Sequence, residues 1–434
     1  MPSRISQRPD LGRNRRRRPT RRPRPAARSV RPTRTSELER ALDATVETTA
    51  ALPATFAASG LPRRLVAELT RAGLTVPFPI QARTIADALA GRDVLGRAQT
   101  GSGKTLAFGL PILARVAGGP KVRAGQPRGL VLVPTRELAQ QVTDTLAPLG
   151  RALGLRIAAV YGGASMGRQT TALRRGAGIV VATPGRLTDL IERGECRLDD
   201  VSVTVLDEAD YMADLGFLPA VTRLLELTQP GTQRLLFSAT LDRGVDGLVR
   251  DYLTDPALHA VAPATAPVQS TEHLVFTLRP EDKVQVAAEV AGRAGKSLFF
   301  VRTKHGADRL AKQLGRLGVS AVAIHGNRSQ GQRTRALAGF AAGRPRVLVA
   351  TDVAARGIHV DDVATVVHFD PPADHKDYLH RSGRTARAGA TGTVVSLVSP
   401  DQRRTVARLH EDARVRGTVL AVAPGDKALT DLAG

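Results

Sequence analysis

Lys104 and Thr105 close the run Ala98-Gln99-Thr100-Gly101-Ser102-Gly103-Lys104-Thr105. Before it stands the apolar pair Val94-Leu95; after it a helix-like stretch reaches about Val116. A glycine-rich turn between a strand and a helix is the layout that cradles phosphate. Gly101 and Gly103 allow a tight turn, so the N–H groups from Thr100 to Gly103 can converge on phosphate oxygens, aided by the helix N-terminus. Lys104 would then reach the β- and γ-phosphates, and the Thr105 hydroxyl would be a Mg²⁺ ligand. The strict pattern begins with Gly; Ala98 is small enough to keep the turn.

A second pair able to do chemistry is Asp207-Glu208, after the apolar run Val203–Leu206. A carboxylate at a strand end beside a phosphate loop is placed to hold Mg²⁺, and its neighbour can orient and deprotonate a water. Asp207 fits the first role and Glu208 the second. Thr135 and Arg136, Gly162-Gly163, and Thr183-Pro184-Gly185-Arg186 also follow apolar runs. Together they could grip a nucleic-acid backbone without reading bases; singly, each also serves as a cap or turn. Pro77 and Pro79 hold Gln81 in a fixed direction, and its amide carries the donor and acceptor that read an adenine edge. Glutamine is equally an ordinary residue at a helix start. In the second half, Arg384 and Arg387 lie three apart, so a helical or tight-turn backbone presents both on one side. Such arginines stabilise a transferring phosphoryl group or form a solvated or RNA-facing patch.

These residues require strands that end on one edge. Apolar runs at 129–133, 157–160, 179–182, 201–206 and 234–237 alternate with helical stretches. That pattern implies a parallel sheet covered on both faces, with chemistry at the strands' carboxyl ends. Residues 261–272 carry prolines and form a linker. A second alternating pattern follows, with strands expected at 273–276, 297–301, 321–324, 346–349, 365–369 and 393–397. It has no phosphate loop, so a nucleotide would sit in a cleft between two α/β domains. The divisions are a tail and lead-in over 1–50, a first domain over 51–260, a second over 273–400 and a short extension over 401–434.

The chain has 434 residues, a net charge of +23, no Trp and a single cysteine, Cys196, expected in a surface loop. Thirteen Arg and one Asp fall within residues 1–34, which read as a disordered arm for polyanions or a solubilising extension. No apolar run reaches the roughly 18 residues of a membrane span. One cysteine excludes an intramolecular disulfide. With aromatic residues at 3%, base stacking cannot be the main mode of recognition.

The ordered set of motifs resembles the DEAD-box family of ATP-dependent RNA helicases, in superfamily 2. It comprises Phe56 with Gly73–Gln81, then Ala98–Thr105, Pro134–Ala139, Gly162-Gly163, Thr183–Arg186, Asp207–Asp210, Ser238–Thr240, Leu298–Lys304, His325–Arg333, Ala350–Val360 and His380–Gly389. The resemblance implies two RecA-like domains in tandem, with ATP and Mg²⁺ as cofactors and RNA as partner. It implies adenine recognition by Phe56 and Gln81, nucleotide contacts from Gly357 and His359, and completion of the site by Arg384 and Arg387. Ser238 and Thr240, with Asp210, would couple hydrolysis to RNA binding. Thr135, Arg136, Gly163, Thr183, Arg186, Arg328 and Thr351 would hold the RNA backbone. His359 stands where the family usually has Asp, Asn327 replaces a common Asp, and Ser382 and Ala386 replace Ile and Gly. A cytoplasmic monomer, free of membranes and meeting ribosome-assembly or RNA-decay particles, is the matching expectation. A DNA translocase on the same core and a non-catalytic RNA clamp are the competing classes.

Overall fold

The structure, a computed structural model, describes residues 37–46, 52–99, 101–241, 243–261, 271–293, 295–355, 363–386 and 391–429. The Arg-rich tail and most of the linker lie outside these residues.

The first domain holds β1 (Val94–Arg97), β2 (Gly129–Leu132), β3 (Ile157–Val160), β4 (Ile179–Ala182), β5 (Val203–Asp207), β6 (Gln233–Ser238) and β7 (Ala257–Ala260). The second holds β8 (Thr271–Thr277), β9 (Lys296–Phe300), β10 (Ala321–Ile324), β11 (Val347–Ala350), β12 (Val363–His368), β13 (Gly392–Val398) and β14 (Thr418–Ala421). All strand pairs within the two sheets are parallel. The sheet orders are β3-β4-β2-β5-β6-β1-β7 and β10-β11-β9-β12-β13-β8-β14. Subtracting seven from each label of the second order reproduces the first, so the two domains share one topology.

The apolar runs are continuous because both sheet faces are covered. Val131 and Val205 enter the cluster on one face of the first sheet, while Leu130, Leu132 and Leu206 enter the cluster on the other. In the second sheet Phe299 and Val301 face one way, and Leu298 and Phe300 the other. The functional edge therefore rests on a core that fixes every strand end.

Three expectations are corrected. The lead-in before residue 51 contains the helix Glu37–Val46, which packs on the first domain: Leu42 is fully buried, and the Thr45 carbonyl accepts from Arg83 Nη1 at 2.8 Å. Residues 401–429 continue the second domain, since β14 pairs with β8 and Leu429 is buried in its core. Cys196 lies in the first domain's core at 1% exposure, and burial pushes its thiol up to about 12.

Candidate active site

The phosphate loop follows β1, and the helix Lys104–Ala117 begins at its end. Gly101 and Gly103 have φ of 89° and 86°, which L side chains rarely adopt. At Gly103 a Cβ would also stand 2.5 Å from both Gln81 Nε2 and Phe78 Cδ2. The Lys104 side chain is buried, 6% exposed, and its Nζ has no hydrogen-bond partner among the described residues. A desolvated ammonium without an acceptor is costly unless an anion completes it. Thr105 lies one residue into the same helix, and Ser102 Oγ donates to the Gln99 carbonyl at 2.6 Å, bracing the loop. Thr100 lies outside the described residues.

Facing this loop, β5 ends at Asp207, which is 3% exposed. Burial pushes its carboxyl up to about 7, opposed by the Lys104 charge and reinforced by Glu208. A buried cation without a hydrogen-bond acceptor among the described residues and a desolvated carboxyl are complementary to a phosphate–Mg²⁺ pair, so these residues fit such a group. Glu208 takes the left-handed conformation, φ 52° and ψ 51°, uncommon for a residue with a Cβ and a mark of functional sites. Its amide donates to Asp207 Oδ1 at 3.0 Å.

Asp210, Ser238 and Thr240 form one hydrogen-bonded unit. The Thr240 amide and hydroxyl donate to Asp210 Oδ2 at 3.0 and 2.8 Å. The Ser238 hydroxyl accepts from the Asp210 amide at 3.3 Å and donates to the Thr240 carbonyl at 2.7 Å. Burial alone would raise the Asp210 carboxyl, but the His380 and Lys104 charges and these hydroxyls hold it below the usual range. His380 belongs to the second domain, and its Nε2 lies 3.9 Å from Asp210 Oδ2. Thus the end of β6 is tied to the Asp-Glu-Ala-Asp turn and, through it, to the facing domain.

The adenine readers are placed less simply. Gln81 accepts from the Phe78 amide at 2.8 Å and donates to the Gly103 carbonyl at 2.9 Å. It therefore braces the loop, retaining one lone pair and one hydrogen for a base. Phe56 is a correction: a short 3₁₀ turn whose amide bonds the Thr75 carbonyl at 3.1 Å tucks its ring into the core, 2% exposed, leaving no face open to a base. The exposed ring beside the loop is Phe78, at 54%.

The backbone-grip residues gather along the carboxyl ends of the strands. Thr135 caps the helix Arg136–Ala152 by accepting from the Leu138 amide at 3.2 Å. Arg136 lies across the Gly162-Gly163 turn: a Cβ at Gly163, where φ is 82°, would meet its Nη1 at 2.2 Å. Only glycine admits that approach. Thr183 starts the helix Pro184–Glu192 with its hydroxyl unused as a cap, and Arg186 reaches the Ala164 carbonyl at 3.4 Å. In the second domain Arg328 Nη2 donates to Asp308 Oδ1 at 2.6 Å, and His325 Nε2 lies 3.1 Å from the other oxygen. Asp308 supplies the carboxylate that Asn327 lacks; Asn327 instead accepts from Lys304 Nζ at 3.1 Å. Thr351 is buried, and its carbonyl receives the Ala354 and Ala355 amides at 2.9 Å.

Arg384, just past the helix His375–Ser382, is 5% exposed. Arg387, Gly357 and His359 lie outside the described residues.

Two arginines went unassigned in the sequence. Arg381 clamps Asp352 through Nε at 2.5 Å and Nη2 at 2.8 Å, also bonds the Asp370 carbonyl at 2.7 Å, and lies 5.0 Å over the Phe300 ring. It locks the helix His375–Ser382 beside Thr351. Arg333 Nη2 lies 2.9 Å from Glu137 Oε1, and Gln330 Nε2 donates to the same oxygen at 3.1 Å. Their spacing of three at a helix start was the available signal. With the Tyr211 hydroxyl donating to the Val353 carbonyl at 3.2 Å, these contacts hold the two domains together.

Comparisons with known proteins agree with this geometry. The DEAD/DEAH box helicase family model matches residues 78–248, and the helicase conserved C-terminal domain matches 282–389. DEAD-box ATP-dependent RNA helicase 30 of Arabidopsis thaliana is 40% identical over 372 residues, 84% of this chain, which spans 63% of that relative's length. DEAD-box ATP-dependent RNA helicase 5 of rice (Oryza sativa subsp. japonica) is 39% identical, covering 84% of this chain and 73% of its own. The structure of S. cerevisiae Dbp5 bound to RNA and ADP BeF3 superposes with a TM-score of 0.78 at 28% identity, over 88% of this chain and 99% of that one. On these matches, which span the phosphate loop, the Asp-Glu-Ala-Asp turn and both sheets, the chain belongs to the DEAD-box ATP-dependent RNA helicase family.

Proposed function

We propose that the chain hydrolyses ATP when RNA is bound, and uses the cycle to open short RNA duplexes or remodel RNA–protein particles without reading sequence. The observation that carries this reading is the buried Lys104 ammonium, with no hydrogen-bond partner among the described residues, near the buried Asp207 carboxyl, in a cleft closed by contacts from the second domain.

In this reading Lys104 and the loop amides of Gly101–Gly103 bind the β- and γ-phosphates of ATP. Mg²⁺, held by Thr105 and Asp207, would supply charge neutralisation at the transferring phosphoryl group. Glu208 orients the attacking water and accepts its proton at the carboxylate. Gln81 recognises the base while bracing Gly103, and Phe78 offers the open ring beside it. Arg384 and Arg387 complete the charge on the far side. Thr135, Arg136, Gly163, Thr183, Arg186, Arg328 and Thr351 hold the RNA backbone. The unit of Asp210, Ser238, Thr240 and His380 transmits the state of the phosphates to the domain contact. Dbp5, which superposes across both domains, is itself bound to RNA and ADP BeF3, consistent with a closed, loaded arrangement. We further propose a cytoplasmic monomer acting on particles of ribosome assembly or RNA decay.

The test is ATP turnover with no nucleic acid, with single-stranded RNA and with DNA of equal length. RNA should stimulate strongly and DNA weakly; equal stimulation by DNA would replace this reading with a DNA translocase.

A further inference from the structure

At the edge of the second sheet formed by β8 and β14, a cavity of about 430 Å³ opens against the helix Arg403–Asp412. That lies within the roughly 300–1,000 Å³ of small-ligand clefts. Its walls are Val275, Val406, Ala407 and Val419, the last 54% exposed. Arg403 and Arg404 also line it, both exposed, with no ion-pair partner among the described residues. His410 contributes a side chain only 8% exposed whose Nε2 has no hydrogen-bond partner. Among the described residues β14 is the last strand of its sheet and pairs with β8 alone, which leaves its outer edge open. Apolar walls, a buried imidazole nitrogen without a hydrogen-bond partner, two guanidiniums without an ion-pair partner among the described residues, and an open strand edge coincide at one place.

We propose that this cavity is a docking site for an extended acidic–aliphatic peptide segment of a partner protein. The peptide lies along β14, an aliphatic side chain fills the space between Val406 and Val419, and a neighbouring carboxylate accepts from Arg403, Arg404 and the His410 imidazole. Charge complementarity selects the occupant. The chain's own Arg-rich N-terminal residues would be repelled by the two arginines. RNA is disfavoured because no Phe, Tyr or Trp is among the described residues that line the cavity, and His410 at 8% exposure offers little ring face to stack a base. The site is also remote from the backbone grip: Arg328 follows β10 at the opposite edge, six strand spacings or about 29 Å away. Docking here stands apart from the nucleotide cleft and does not depend on its chemistry.

The experiment is selection of displayed random dodecapeptides on the full chain, followed by affinity measurement with the enriched peptides. Peptides pairing Glu or Asp with Leu, Ile or Val should be enriched. Their affinity should fall at least tenfold in Ala407→Trp, which fills the cavity, and in Arg403→Glu/Arg404→Glu, which reverses its charge. RNA-stimulated ATP turnover should stay within twofold of the parent chain. No enrichment, a consensus lacking acid or aliphatic residues, or equal binding by the surface Arg403→Glu/Arg404→Glu chain would overturn the proposal. So would a loss of RNA affinity, rather than peptide affinity, in that chain, which would mark the patch as an RNA contact.

Discussion

The Arg333 guanidinium of the second domain lies 2.9 Å from the Glu137 carboxylate of the first, with side chains only 12% and 8% exposed. Glu137 stands in the first turn of the helix that follows Thr135, and so sits among the residues proposed to hold RNA. A largely desolvated charge pair costs about 2–5 kcal/mol when one partner is truncated, much of it the penalty of the orphaned charge. That penalty applies only when the domains are closed. Glu137→Gln should therefore weaken closure and lower RNA affinity in the presence of ATP by about tenfold or more, leaving the unfolding temperature unchanged. Interdomain energy transfer reads closure directly, and a variant that closes as readily as the parent would show the contact to be incidental.

Asp207 carries a pH signature. Its carboxyl is raised from 3.8 to about 7 by burial. A raised folded-state value contributes stability below the unfolded value and loses it as pH climbs through the folded one. The window runs from about pH 4 to about pH 7, with an upper bound of about 4 kcal/mol for three units. Asp207→Asn removes the titration while keeping the shape. Without nucleotide, the parent should lose more thermal stability than the variant between pH 5 and pH 8; parallel curves would contradict the assignment.

Ala386 has φ 53°, where the family pattern has glycine. The left-handed region costs an L residue about 1–2 kcal/mol, while a glycine frees the unfolded chain by about 0.4–1 kcal/mol. Ala386→Gly should thus stabilise the chain by about 1 kcal/mol or slightly less. A melting temperature below the parent's would mean the methyl group has packing value that outweighs the strain.

Much of this molecule could be read before it was seen, for physical reasons. Strands such as Gly129–Leu132 and Ile179–Ala182 are buried on both faces, so their apolar runs are unbroken and their ends mark the functional edge. β7 and β14 escaped because edge strands need no such run: His259 interrupts one, and the other is mostly exposed. That Asp210, Ser238 and Thr240 act together came from the family resemblance; the structure brings them together because β5 and β6 are neighbours. The Arg333–Glu137 pair was illegible because it exists only through domain closure. Phe56 was misplaced because a 3₁₀ turn, set by tertiary contact with Thr75, turns its ring inward.

Glu208 bears the chemical claim most directly. Removing a positioned base typically costs about 10²–10⁴ in rate. Glu208→Gln should bind ATP and RNA as the parent does, while its RNA-stimulated ATP turnover falls at least about a hundredfold. Turnover equal to the parent's under saturating ATP and RNA would contradict the account.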